Sequence, residues 1–359
     1  MRRLLIIFLL LVCWCSGQAK QKSLDRTIFY PSVDQNGDEL VLSGRLCIPE
    51  TEKPKGIILL PHFTISANEE APSNKLPVEA KYFKNQYVLV MPDYIGFGVT
   101  CDRIHPYLHG ELTARNCVDM LLSAQPILDS LSLDIPLDSI YVVGFSQGGA
   151  VALWTLKLLE EEYADRIHVK KCFVGSAPSD VATTYDDPIA QNVTGVPAVI
   201  PMLVMGTSEA YNLHLQPEDF FSPAMMRIYN KYIKNKNKRM ISLYFRMSNH
   251  KISHWMTTQG MDKTQPETER FYEGLLRSSL VHYDIHNNTA DSICPAWIPQ
   301  APLYVFHSTN DDLVPFQNAL HLRRCYQTLP NIIWDFDKYG GHVRSMFTFL
   351  SKVQSLLDK

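Results

Sequence analysis

Short apolar runs recur along the chain without internal alternation: Gly56–Phe63 (GIILLPHF), Tyr87–Asp93 (YVLVMPD), Ile140–Phe145 (IYVVGF), Cys172–Gly175 (CFVG), Leu303–His307 (LYVFH) and Ile332–Phe336 (IIWDF). Runs of this kind suit strands covered on both faces, as in a parallel sheet. Two stretches between them carry helical spacing, Leu112–Leu131 and Gly148–Ala164. The second places Ala150, Leu153, Trp154, Leu156 and Leu158 on a broad apolar surface. Ahead of them, Thr27–Val33 and Leu40–Ile48 flank Asp34-Gln35-Asn36-Gly37-Asp38, the signature of a hairpin turned at Asn-Gly. Strands alternating with helices predict a mostly parallel, doubly wound α/β sheet.

The rhythm stops once. From about Asp180 to Pro302 no buried-strand run recurs. This stretch holds a Pro-rich piece (Val196–Pro201), helical segments around Pro223–Lys234 and Glu267–Leu280, and a basic run, Lys231–Arg239. A structureless loop of that length would not sit inside a compact domain, so residues 180–301 read as a helical cap between the sixth and seventh strands. The basic run fits a solvated helix face, with an acidic partner surface as the alternative.

The N-terminus changes the picture of where the protein works. Arg2 and Arg3 precede an apolar run, Leu4–Val12, followed by small and polar residues to Gln18. This predicts a secretory signal peptide over residues 1–17, the domain then running over 18–359. A lipoprotein anchor at Cys15 fits less well, because bulky Trp14 precedes it. No later segment is apolar for long enough to span a membrane. The protein is therefore expected to be secreted or periplasmic. A formal charge of −3 gives nucleic-acid binding no electrostatic support. Six cysteines follow the leader (Cys47, Cys101, Cys117, Cys172, Cys294, Cys325), without a C-x-x-C pair, so a zinc ribbon is not expected. The spacing selects none of their possible disulfides.

Candidate chemistry centres on Gly144-Phe145-Ser146-Gln147-Gly148, with a strand leading in and a helix leading out. That is the setting of a nucleophile elbow, in which a strained turn lifts the serine hydroxyl above the sheet at a helix N-terminus. A serine hydroxyl needs a base, and the base an orienting carboxylate. Both stand just past late strands: Asp311 in Ser308–Pro315 after LYVFH, and His342 after Asp337-Lys338-Tyr339-Gly340-Gly341. Asp312 is the neighbouring alternative to Asp311, and His307 precedes the acid and suits a structural role.

With these motifs in place, the chain resembles the α/β-hydrolase superfamily, in particular bacterial secreted lipases and esterases. The resemblance rests on GFSQGG at Gly144–Gly149, HSTNDDLVP at His307–Pro315 against H-G-x-x-D-x-x-V-P, and GGH at Gly340–His342. Pro92–Gly98 and His105–Leu108 add to it. It implies an α/β-hydrolase fold with catalytic Ser146, His342 and, by alignment, Asp311. The oxyanion hole would be formed by the N–H of Gln147 and, from the loop after Gly56–Pro61, of Thr64, with Phe63 where glycine is usual. His62, Asp93 and His105 read as loop braces, and Tyr94 and Tyr107 as core aromatics or an acyl-pocket wall. Met202, Met205, Met225 and Met226 suit an acyl chain or the cap core. The expected activity is hydrolysis of carboxylic esters, lipid or carbohydrate, with no cofactor and no metal. A prolyl-oligopeptidase-type peptidase and a non-catalytic binding module on the same fold are the alternatives.

Overall fold

The computed structural model describes residues 24–357 except 52, 132, 134, 136–139 and 284–292. The expected signal peptide and Cys15 lie outside the described residues. Eight strands form one sheet: β1 Leu24–Val33, β2 Glu39–Ile48, β3 Ile57–Leu59, β4 Val88–Pro92, β5 Ile140–Phe145, β6 Val169–Gly175, β7 Leu303–Ser308 and β8 Ile332–Asp337. Their order is β1-β2-β4-β3-β5-β6-β7-β8. β1 and β2 pair antiparallel as a hairpin, β2 runs antiparallel to β4, and every later pairing is parallel. Asn36-Gly37 turns the hairpin, with Gly37 at φ 81°.

Helices α1 Gly110–Ser130 and α2 Gln147–Glu162 cover one face of the sheet. β3, β4 and β5 read as unbroken apolar runs because both faces are buried. Between β6 and β7 the chain builds the expected helical insertion: α3 Val181–Gln191, α4 Val199–Ala210, α5 Pro217–Phe220, α6 Pro223–Ile228, α7 Met240–Arg246, α8 Ile252–Trp255, α9 Thr258–Met261 and α10 Pro266–Ser278. Pro223–Lys234 is less regular than its spacing predicts, with α6 passing into one π-type turn at Tyr229–Ile233. Then α11 Gln317–Tyr326 follows β7 and α12 His342–Leu357 follows β8. Phe349, Leu350 and Val353 of α12 fill the second face of the sheet. The insertion has its own core, which closes on Tyr107 and Leu108 of the main domain.

Asp180 ties this insertion down. Its side chain is fully buried and accepts from Thr183 N–H at 2.9 Å and from Thr183 Oγ1 at 2.9 Å. His321 Nδ1 of α11 stands 2.7 Å away, and His282 Nδ1, at the exit of the insertion, 3.0 Å. Burial alone would raise this carboxyl, but the hydrogen bonds from the two histidines outweigh it and hold the pKa at about 2. Asp180→Ala removes the carboxylate that buried His321 and half-buried His282 both face and is expected to cost about 3–5 kcal/mol, read as a lower guanidinium midpoint. An unchanged midpoint would contradict that role. Because the folded pKa lies below the ordinary value of about 3.9, the stabilisation is complete above that pH. It is lost as pH falls through about 2.

Among the described residues one disulfide, Cys294–Cys325, staples the return from the insertion to α11, with a sequence separation of 31. Closing a loop of that size contributes about 3–4 kcal/mol in the chain-entropy picture. Cys47, Cys117 and Cys172 are buried free thiols, and Cys101 is exposed.

Candidate active site

The elbow forms where β5 passes into α2. Ser146 adopts φ 57° and ψ −125°, a strained backbone for a residue with a side chain. Its N–H donates to Gly175 O of β6 at 2.8 Å, which pins the turn to the sheet. Two glycines make the turn possible. A Cβ at Gly144 would lie 2.0 Å from Gly148 O, and one at Gly148 would lie 2.2 Å from Pro61 O. The second close approach also sets the loop after β3 against the N-terminus of α2.

His342, the first residue of α12, brings Nε2 to 2.8 Å from Ser146 Oγ. Its Nδ1 faces Asp311, 2.8 Å from Oδ2 and 3.0 Å from Oδ1. An ionised carboxylate only accepts, so Nδ1 carries the hydrogen and Nε2 presents its lone pair to the serine. The Asp311 side chain is fully buried, and its Oδ1 also accepts from the N–H groups of Leu313 and Val314, each at 2.9 Å. Burial would push this carboxyl up, but the charge and hydrogen bond of His342, helped by His307 and Val314 N–H, hold it at about 2. Asp312 acts on the backbone instead, its Oδ1 accepting the N–H of His342 at 2.7 Å. The Phe145 ring packs on the imidazole at 4.9 Å.

Gln147 opens α2, so its N–H lacks an intrahelical acceptor. Thr64, half-buried, lies in the loop that Gly148 approaches. Both side chains are held by one short stretch. His105 Nδ1 donates to Ile95 O at 2.8 Å, so its Nε2 accepts from the Gln147 side-chain amide at 2.7 Å. Burial pushes His105 down to about 3, which keeps the ring neutral. Two residues on, the Tyr107 hydroxyl bonds Thr64 Oγ1 at 2.8 Å. Beneath that loop lies buried Glu79, whose carboxyl burial lifts to about 7.

The other sequence candidates are packed as braces. The ring nitrogens of His62 lie against Phe63 O at 2.6 Å and Asp93 O at 3.2 Å, of which the neutral ring can donate to one, and Tyr94 donates to His62 O. Asp93 accepts from Ser43 Oγ and Ser73 N–H. His307 is buried against Val314 O. Of the four methionines, Met202 and Met205 line a cavity, whereas Met225 is wholly inside the insertion's core.

A family model described as secretory lipase matches residues 78–353. The chain belongs to the secretory lipase family. The matched span includes Ser146, Asp311 and His342 and begins beyond Thr64. Lipase 10 of Candida albicans is 23% identical to this chain over 227 residues, 60% of this chain but only 44% of that protein. Among solved structures it is similar to the rice cell wall degrading esterase LipA from Xanthomonas oryzae, with a TM-score of 0.75 and 19% identity over 92% of this chain and 88% of that one. Candida antarctica lipase A in its closed state gives a TM-score of 0.61 and 15% identity over 94% and 81% of the two chains. At such identities the two structures establish the α/β-hydrolase fold. No described helix is long and apolar enough to cross a membrane.

Two features of the site carry no sequence signal of their own. The His105–Gln147 bond joins residues 42 positions apart, and the Asp312 contact serves a backbone group. Repetition of the acid at 311 and 312 is the one hint that both carboxylates are used.

Proposed function

We propose that the mature protein is a secreted serine hydrolase cleaving carboxylic esters through an acyl-enzyme. The observation that carries this is the continuous hydrogen-bonded series Ser146 Oγ, His342 Nε2, His342 Nδ1, Asp311. His342 takes the hydroxyl proton as Ser146 Oγ attacks the ester carbonyl, and Asp311 stabilises the imidazolium so formed. The N–H groups of Gln147 and Thr64 receive the oxyanion, their side chains held by His105 and Tyr107. The alcohol leaves with the proton from His342. Water, deprotonated by the same nitrogen, then releases the acid and frees Ser146.

His105 and Tyr107, which hold the Gln147 and Thr64 side chains, also border a mostly apolar cavity of about 50 Å³ walled by Ile104, Met202, Met205 and Tyr229.

The test compares a p-nitrophenyl ester with the p-nitroanilide of the same acyl group. Ester turnover with kcat/KM at least about 10³ above the anilide is expected. Comparable rates on both would turn the assignment toward a peptidase.

A further inference from the structure

Between Asp219 and Asp262 the chain has no acidic residue but eight lysines and arginines, in a protein whose overall formal charge is −3. Part of this charge is structural. Lys236 Nζ donates to the carbonyls of Cys101 and Arg103, and Arg239 pairs with Glu69. Arg227, Lys231, Lys234, Arg246 and Lys251 are exposed.

In the middle of the stretch lies α7. Leu243 and Met247 point into the insertion's core with no exposure. Ile241, Tyr244 and Phe245, at i, i+3 and i+4, share the outer side and are 55%, 39% and 75% exposed. Two aromatics and an isoleucine side by side in water, rimmed by cations, mark an interaction surface.

Its position connects it to the site. Just before α7, Asn237 bridges to Ala67, Ser66 Oγ donates to Lys238 O at 2.7 Å, and Met240 N–H donates to Glu70. That end therefore adjoins the loop that begins at Thr64. Beyond the other end, the Tyr244 ring faces His250, whose backbone carbonyl accepts from Thr194 N–H at 2.9 Å. The next residue, Gly195, packs so closely on the acid loop that a Cβ would lie 2.4 Å from Asp312 O. Adjacent Val193 is 53% exposed. The segment carrying the patch thus spans from the loop of Thr64 to the loop of Asp311, the two loops that flank the candidate site.

We propose that α7 and its basic flanks dock this side of the molecule on an anionic lipid surface. Anionic headgroups would neutralise the exposed cations while Ile241, Tyr244 and Phe245 enter the acyl boundary. An acidic polysaccharide would match the cations but leave Phe245 in water, so the lipid surface uses more of what is exposed. Delivery of an ester to Ser146 rests on the hydrolase reading; docking itself does not.

The experiment is co-sedimentation of the mature chain with phosphatidylcholine vesicles, alone or with about one third phosphatidylglycerol, at about 0.1 M salt. Binding at least about tenfold tighter to the anionic vesicles is expected. Combined Lys231→Glu, Arg246→Glu and Lys251→Glu should weaken it about a hundredfold or more, and Phe245→Asp about tenfold. Melting temperature, and turnover of a soluble acetate ester, should stay at wild-type values in these surface variants. Equal binding to neutral vesicles, or variants that bind as wild type, would overturn the proposal. So would binding only to polygalacturonate with Phe245→Asp inert. Absence of ester turnover would sink the hydrolase reading and leave the vesicle result standing.

Discussion

Ser146→Ala is expected to lower kcat on an aryl ester by about 10⁶ while the protein keeps its fold. In the proposed mechanism the hydroxyl is the nucleophile, and neither His342 nor Asp311 replaces it. Removing Oγ leaves the strained turn intact, because that turn is set by Gly144, Gly148 and the Ser146 N–H bond to Gly175. What persists is the oxyanion site and substrate binding, worth about 10³–10⁴ over water in comparable hydrolases. Steady-state kinetics with circular dichroism as the folding control reads the effect. A loss below about tenfold would mean that another group attacks the ester.

The second large effect separates two adjacent carboxylates. Asp311→Asn is expected to cost about 10⁴ in kcat, the scale seen when a triad acid becomes an amide. The local hydrogen bonds say why. Leu313 and Val314 N–H groups both donate to Oδ1, so an asparagine would place its carbonyl there and its amino group at the Oδ2 position, 2.8 Å from His342 Nδ1. Nδ1 must then accept, the hydrogen moves to Nε2, and the ring can no longer take the Ser146 proton. Asp312→Asn keeps a carbonyl oxygen for the His342 N–H and is expected to stay within about tenfold of wild type. Parallel kcat measurements on the two variants decide this, and the reverse ranking would make Asp312 the orienting acid.

The parts of the fold that follow from local pattern are legible in the sequence. Strands buried on both faces leave continuous apolar runs, and the hairpin leaves Asn-Gly. Only the last four residues of β6 show as such a run, since Val169, Lys170 and Lys171 lie toward the open end of the strand. Gly56–Phe63 overstates β3, which pairs over Ile57–Leu59 before the chain turns to carry Thr64. Inside the insertion, α3, α4 and α7 are hidden in the sequence because their apolar residues face a small separate core, with no sheet to impose a long period. Long-range contacts leave no trace: Asp180 meets His321 across 141 residues, and Cys294–Cys325 is one choice among scattered cysteines. The candidate triad is legible for the opposite reason. Its members each sit at a strand end, where the fold fixes chain order and the motif fixes spacing.

The most direct test is fluorophosphonate labelling of the mature protein, followed by peptide mapping. The account predicts one adduct, on Ser146, formed in step with loss of ester turnover and absent from His342→Ala protein. Labelling elsewhere, or a folded wild-type chain that neither labels nor turns over esters, would contradict it.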